Sequence, residues 1–311
     1  MKPVNQKYFL FLLFLNVIVS SVPAQEDVGK PPKNQLSIRH DNDFVLFTDR
    51  YYSTGLFLTY RRALNKGIFN HGKEQLNFEF RQQAYTPDNI DTEEIIKIDR
   101  PYAGFSGLTS GWSLARSASF IHVKGLIGLS GPSSGAGAFQ RWFHRNVVFV
   151  SVPTWFTEIE DSFHANFEMD YAVETILAPN PFGVRLAFQA SGAYGTKDQY
   201  FQPQISAFFG RRSDLDSSIA YDQIGTMDRE IYFNLHFEYR FVGQNALLEG
   251  NGPDDASLYT IEPNNNVFRW GFGLYHRFKK NDYKFSYQFL AEEASEITSH
   301  QYLTISYGRS F

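Results

Sequence analysis

The chain has no cysteine among its 311 residues. In an exported protein this excludes a disulfide framework, so stability has to come from burial or from a sheet closed on itself. Beyond the N-terminal segment it has no apolar run of the ~18 residues that a membrane-spanning helix needs. Mean hydropathy is −0.33. There is no excess of basic charge: Lys and Arg total 29 against 33 Asp and Glu, for a net charge of −4. With no basic stripe interleaved with aromatics, nothing calls for a nucleic-acid partner. The Gly-rich stretch 131–137 is not followed by the Lys-Ser/Thr of a phosphate loop. No nucleotide, flavin or haem signature is present.

What the chain does have is an export signal and aromatics. Lys2 and Lys7 precede an apolar stretch from Tyr8 to Val19, and Val22-Pro23-Ala24 supplies small residues for cleavage. Residues 1–24 therefore read as a signal peptide, and 25–311 as one domain. Aromatics make up 17% of the chain, with 31 Phe and 18 Tyr, which suits the girdles and lipid-facing surface of a membrane barrel. Period-two alternation dominates. Leu76, Phe78 and Phe80 alternate with Asn77, Glu79 and Arg81, and Ile231, Phe233, Leu235 and Phe237 follow the same rule. The pattern predicts strands at 35–44, 53–65, 73–85, 103–115, 118–130, 163–177, 182–194, 201–211, 228–242, 266–279, 282–291 and 300–310. No helical period stands out.

The expected fold class is all-β: an antiparallel transmembrane β-barrel of about twelve strands. Closure is needed because unpaired backbone groups cannot face lipid. Short turns on one side and longer extracellular loops on the other set the orientation. The segment 212–227 is long for a periplasmic turn and leaves room for a hidden pair of short strands. The last strand alternates Leu303, Ile305 and Tyr307 with small residues and stops on Phe311. It resembles the signal read by the barrel assembly machinery, although Arg309 stands where another apolar residue is usual. The expected location is the bacterial outer membrane.

One polar run departs from this pattern. Asp41-Asn42-Asp43-Phe44 and Thr48-Asp49-Arg50-Tyr51-Tyr52-Ser53-Thr54-Gly55 crowd carboxylates, an amide and hydroxyls into one hairpin tip. The topology puts Asn42, Asp43, Ser53 and His144 at the same outer rim. Strict alternation places Asn42 on the lipid side with Leu36 and Ile38, and Asp43 on the other; a bulge near the rim would reconcile them. A base, a hydroxyl, an amide and a carboxylate at the outer leaflet point to hydrolysis of a lipid.

These segments, with Asp99-Arg100-Pro101-Tyr102-Ala103-Gly104, Gly131-Pro132, Gln140, His144 and Asn245-Ala246-Leu247-Leu248-Glu249-Gly250, resemble the lipid A 3'-O-deacylase family through nearly the whole mature chain. The resemblance implies a twelve-stranded outer-membrane barrel that removes an acyloxyacyl group from lipid A of lipopolysaccharide and depends on Ca2+. By position, His144 resembles the general base that deprotonates water. Asn42 and Asp43 resemble the pair beside the metal, where hard oxygen ligands suit Ca2+. Asp41 is either a further ligand or a strand-end acid. Ser53 occupies the position of a small hydroxyl residue with a positioning role.

Two departures stand out. Many members carry Gly-Glu where this chain has Ala136-Gly137. Many also carry a carboxylate soon after the histidine, whereas no acid follows His144 here until Glu158. His40 competes with His144 by its closeness to Asn42, whereas His122 and His236 fall mid-strand. Arg50 and Arg100 read as loop ion-pair residues. Two other classes compete with the esterase: an outer-membrane phospholipase using Ser53 with His144, without a Gly-x-Ser-x-Gly motif, and a porin-like barrel with charged lumen rings.

Overall fold

Alternation along the chain becomes a wall with two chemistries. The computed structural model describes residues 31–43, 48, 50–69, 71–252 and 255–311; the segment expected to be a signal peptide, Phe44 and Asp49 lie outside them. The described residues form twelve strands: β1 (Asn34–Asn42), β2 (Tyr51–Ala63), β3 (Lys73–Thr86), β4 (Ala103–Ala115), β5 (Ser119–Ser130), β6 (Ser162–Ala178), β7 (Gly183–Gly195), β8 (Asp198–Arg211), β9 (Glu230–Asn245), β10 (Asn266–Phe278), β11 (Asn281–Leu290) and β12 (His300–Ser310). Each pairs antiparallel with its chain neighbour, and β1 pairs with β12 to close the barrel. The C-terminal residue takes part in closure: Phe311 accepts from the backbone N–H groups of Lys33 and Asn34 and donates to Asn34. Arg309 donates to Asn281 Oδ1 on the neighbouring strand β11 at 3.3 Å.

The outward set is apolar, including Leu36, Leu58, Phe78, Phe80, Leu108, Ile127, Phe167 and Phe237, all exposed. These residues would be a liability in water and are the expected solvent contact in hydrocarbon. No helix among the described residues is long and apolar enough to cross a membrane; the strands cross instead. The inward set is polar and paired across strands. Arg81 meets Glu168 at 3.3 Å, and Lys124 meets Asp170 at 2.8 Å and Glu168 at 3.2 Å. The lumen therefore does carry the charge a porin would show, but its cations and anions are tied to one another around a cavity of about 670 Å³.

Both ends of that cavity are filled. At the outer end, a one-turn helix, Ala246–Glu249, drops Leu247 among Ala103, Phe105, Leu126 and Ile159. Leu248 packs with Tyr51, Ile261, Ala294 and Ile297. Asn245 Oδ1 accepts from Leu247 N–H and Glu249 Oε1 accepts from Asn245 N–H, a reciprocal cap that sets the turn. At the inner end, the segment 212–229 is not the hidden strand pair its length suggested. It folds into two short helical turns, Leu215–Ser217 and Ile219–Tyr221, with Leu215 and Ile219 fully buried. Arg277 clamps this segment from the wall, donating to the carbonyls of Ser217 (2.7 Å) and Gln223 (2.6 Å) and to Asp282 (2.7 Å). A strand pair there would have left these buried charges without the carbonyls they bind.

Two boundaries matter for the site. β1 ends at Asn42 rather than at Phe44, so Asp43 already belongs to the loop. β2 begins at Tyr51, earlier than alternation indicated, because a bulge breaks the pattern between Tyr52 and Thr54.

Candidate active site between the barrel wall and an outer loop

The long outer loop between β5 and β6 carries an eight-residue helix, α1 (Ala136–Phe143), which continues into a wider turn over His144–Val148. Its two turns and Gly-rich start are too short to register as helical periodicity in the sequence. The loop packs against the outside of the barrel. On β3, inward-facing Glu79, Arg81, Gln83 and Tyr85 line the lumen, so Phe80, Gln82 and Ala84 face out. Ala84 is buried with Ala136, Tyr102 and Trp155. The carbonyl of Ser134 accepts from Ser106 Oγ at 2.7 Å and Gln82 Nε2 at 3.3 Å.

Glycines make this close approach possible. A Cβ on Gly104 of β4 would stand 2.3 Å from Ser134 Oγ, and one on Gly137 would stand 2.7 Å from the Trp155 ring. The Ala136-Gly137 pair is thus the seat of an indole. Trp155 itself adopts a left-handed backbone conformation (φ 57°), unusual for a bulky residue and concentrated at functional sites.

Along α1, Gly137, Gln140 and His144 follow the three-to-four spacing that puts side chains on one face. Gln140 and His144 are buried. Gln140 links the helix to the wall: its Nε2 donates to Ser53 Oγ (3.0 Å) and its Oε1 accepts from Trp155 Nε1 (3.0 Å). The bulge in β2 makes this possible by re-aiming Ser53, so the irregularity expected on β1 sits on its partner strand. Asn42 Nδ2 donates to the Ser53 carbonyl at 3.1 Å, which joins the ends of β1 and β2. Asn42, Ser53, Gln140 and Trp155 thus form one hydrogen-bonded chain, and His144 lies one helical turn beyond Gln140.

Nδ1 of His144 lies 2.6 Å from the Ser151 carbonyl. A carbonyl only accepts, so Nδ1 carries the proton and Nε2 is the basic nitrogen of the neutral ring. The stretch without an acid therefore orients the imidazole by backbone. Asp43 is fully buried, and its Oδ2 accepts from Arg50 N–H (2.8 Å) and Thr48 Oγ1 (3.0 Å). Asp41 lies on the other side of the wall. It lines the lumen and accepts from Tyr52 O–H (2.9 Å) and Thr304 Oγ1 (2.8 Å). His40 is an exposed wall residue on the neighbouring strand position. Both arginines form loop ion pairs, Arg50 with Asp88 (2.7 Å) and Arg100 with Glu293 (3.1 Å). Asp99 instead accepts from Tyr51 O–H at 2.7 Å.

Sequence reasoning did not find Trp155 or Ser151. Trp155 ends the Pro153-Thr154-Trp155 run, to which the sequence assigned no role, and Ser151 contributes a carbonyl that no residue type announces. Gln140 was legible as the residue four before His144, but its link to Ser53 needed the bulge. Glu158 stands near the start of α1. Burial pushes its carboxyl up to about 7, against the pull of Arg141, and Asp161 adds to the rise.

The wall-and-helix arrangement can be set beside known proteins. The sequence model described as Outer membrane protein LpxR matches residues 9–311. This chain belongs to that family. The match supports the lipid A 3'-O-deacylase reading of the motifs and places the chain in the bacterial outer membrane. Among solved structures, LpxR from Salmonella typhimurium is similar over 89% of this chain and 100% of its own, with 19% identity and a TM-score of 0.75. The β domain of the Bordetella autotransporter BrkA aligns over 90% of this chain and 99% of its own at 8% identity and a TM-score of 0.45. The translocator domain of NalP from Neisseria meningitidis aligns over 98% and 96% at 8% identity and 0.42. No curated protein matches the sequence. The likeness to the Salmonella LpxR structure supports the barrel fold.

Proposed function

We propose that this LpxR-family chain is a Ca2+-dependent esterase that removes the 3'-acyloxyacyl group from lipid A, with water activated by His144. The observation that carries the reading is the position of His144: its Nδ1 is fixed by Ser151, and it lies on the face of α1 that Gln140 ties to Ser53 outside the barrel wall. A lipid reaches such a site from the membrane, without entering the lumen. Nε2 takes the proton of an attacking water as its oxygen bonds to the ester carbonyl carbon. The same proton then goes to the departing sugar oxygen, leaving a free acid and an alcohol.

The residues fit a hard cation. Asp43 supplies a buried carboxylate, Asn42 keeps its Oδ1 as an acceptor while Nδ2 is engaged, and Ser53 adds oxygens beside them. Among the described residues, no group of three or more His, Cys, Asp or Glu side chains gathers for a metal. This oxygen-rich, charge-poor set suits Ca2+ and not a transition metal. Ca2+ held there would supply Lewis-acid stabilisation to the ester carbonyl. With few charged ligands, half-maximal activity is expected near ~10⁻⁴–10⁻³ M Ca2+.

The test is mass spectrometry of lipid A after incubation with the purified protein in detergent, with Ca2+ or with EDTA. Loss of one 3'-acyloxyacyl unit in Ca2+ alone is expected. Cleavage of phospholipid with lipid A left intact would transfer the site to a phospholipase, and equal lipid A cleavage in EDTA would remove the metal from the account.

A further inference from the structure

The outer wall below α1 has a hollow. Strand pairing sets Phe78 opposite Ser110, Ser110 opposite Gly125, and Gly125 opposite Phe167. Two small residues therefore form a floor between two exposed phenylalanines on β3 and β6. A Cβ built on Gly125 meets nothing within 4 Å. The hollow measures about 700 Å³, within the range of about 300–1,000 Å³ typical of ligand sites. One step nearer the outer rim, Phe80 pairs with Leu108 and continues the wall of the trough. One step further, Gln82 and Ser106 hold the Ser134 carbonyl at the foot of α1. The trough thus lies on the same outward face as the α1 loop, two rows below it on β3 and β4. From Ala84, which pairs with Thr54 beside Ser53, to Phe80 is roughly 13 Å along the strand at ~3.3 Å per residue.

We propose that this trough is an acyl-chain groove: it holds a fatty chain of the lipid whose ester lies at His144. The proposal rests on the esterase reading and adds where the chain goes. The occupant follows from position and chemistry. The groove opens on the lipid-facing surface, its lining is almost wholly apolar, and its rim-side end points along β3 and β4 toward the loop that carries the base. A sugar or phosphate headgroup would find no partners in it. A straight chain leaving an ester between α1 and β2 meets this hollow as it descends into the leaflet, and the small floor lets the chain lie below the aromatic surface instead of over it.

The test reads chain contact separately from turnover. In a His144→Ala background, which keeps the lipid intact, Leu108→Trp places a reporter at the groove and Phe285→Trp places one mid-strand on β11. Each is reconstituted in nanodiscs of unlabelled phosphatidylcholine with increasing lipid A carrying brominated acyl chains. Quenching is taken relative to the parent with its four native tryptophans. Quenching at Leu108→Trp is expected at a several-fold lower mole fraction than at Phe285→Trp, and adding Gly125→Leu to fill the floor should erase the difference. Equal curves at both positions would overturn the groove, as would a preference that survives Gly125→Leu. If the protein with His144 intact left lipid A uncleaved while the groove-specific quenching held, the esterase reading would fail and the groove would stand.

Discussion

Two loops of this barrel grip the same wall from opposite sides, and they do it with different chemistry. The inner segment 212–229 enters the lumen and is pinned by charge: Arg277 binds Asp282, Glu230 and two backbone carbonyls, and Arg212 binds Glu174. The outer loop 131–161 lies against the outside and is held by neutral contacts, Gln140 to Ser53, Trp155 to Gln140, and Ser134 to Gln82 and Ser106. The inner clamp spends its polar groups on one another and closes the end of a barrel. The outer clamp sets the Gln140 amide and the His144 imidazole on the outer side of the wall. On the proposed esterase reading, structural and chemical roles separate onto the two faces of one sheet. Asp41 and Asp43, two residues apart in the sequence, show the separation most plainly: one is a lumen acceptor for Tyr52 and Thr304, the other a loop carboxylate beside Asn42 and Arg50.

The comparison can be broken at each clamp. The largest effect is expected from His144→Ala, which should lower lipid A turnover by about 10²–10⁴-fold, the usual contribution of a general base, with the heat-modifiable gel shift of the folded barrel unchanged. Next comes Arg277→Met. It leaves Asp282 and Glu230 buried without their cation and should cost about 3–5 kcal/mol, read as a lower temperature for loss of the folded band. Turnover at low temperature should stay close to that of the unsubstituted protein, since the outer clamp is untouched. If Arg277→Met removed activity while His144→Ala did not, the assignment of roles to the two faces would be reversed.

A smaller change is expected from Gln140→Leu. The link between α1 and Ser53 is lost and the Trp155 N–H is left without its acceptor, so kcat should fall about tenfold, equivalent to ~1.4 kcal/mol, with Nε2 of His144 still in place. The smallest effect is that of Glu158→Gln. Burial raises this carboxyl to about 7 in the folded protein, above its unfolded range near ~4.3. The folded state therefore favours the protonated form, and the protein loses stability as pH rises from the unfolded pKa to the folded one. Replacing the group with an amide should raise the unfolding temperature at pH 8 and leave it unchanged at pH 4, checked by thermal scans at the two pH values.

The barrel was legible because a membrane strand repeats one rule, apolar out and polar in, so that Leu76, Phe78 and Phe80 or Ile231, Phe233 and Leu235 declare their faces without reference to any partner. The rim placement of Asn42, Asp43, Ser53 and His144 followed from counting strands. What the pattern did not carry was everything that breaks the period. The bulge at Ser53 costs one residue of register and turns a hydroxyl to the outside. Helix α1 is two turns long, and its burial comes from Gly104 and Gly137, whose value lies in atoms they lack. The segment 212–229 looked like spare length for strands because its main anchor, Arg277, is on β10, far along the sequence. Ser151 orients His144 through a carbonyl, which every residue has.

The measurement that tests the central claim most directly is a structure of the His144→Ala protein with Ca2+ and intact lipid A. The account predicts the 3' ester between α1 and the outer wall, beside Ser53 and the space vacated by the imidazole, with the metal on Asp43 and an acyl chain running down past Leu108. Lipid density inside the lumen, on the side of Tyr52 and Asp41, would contradict it.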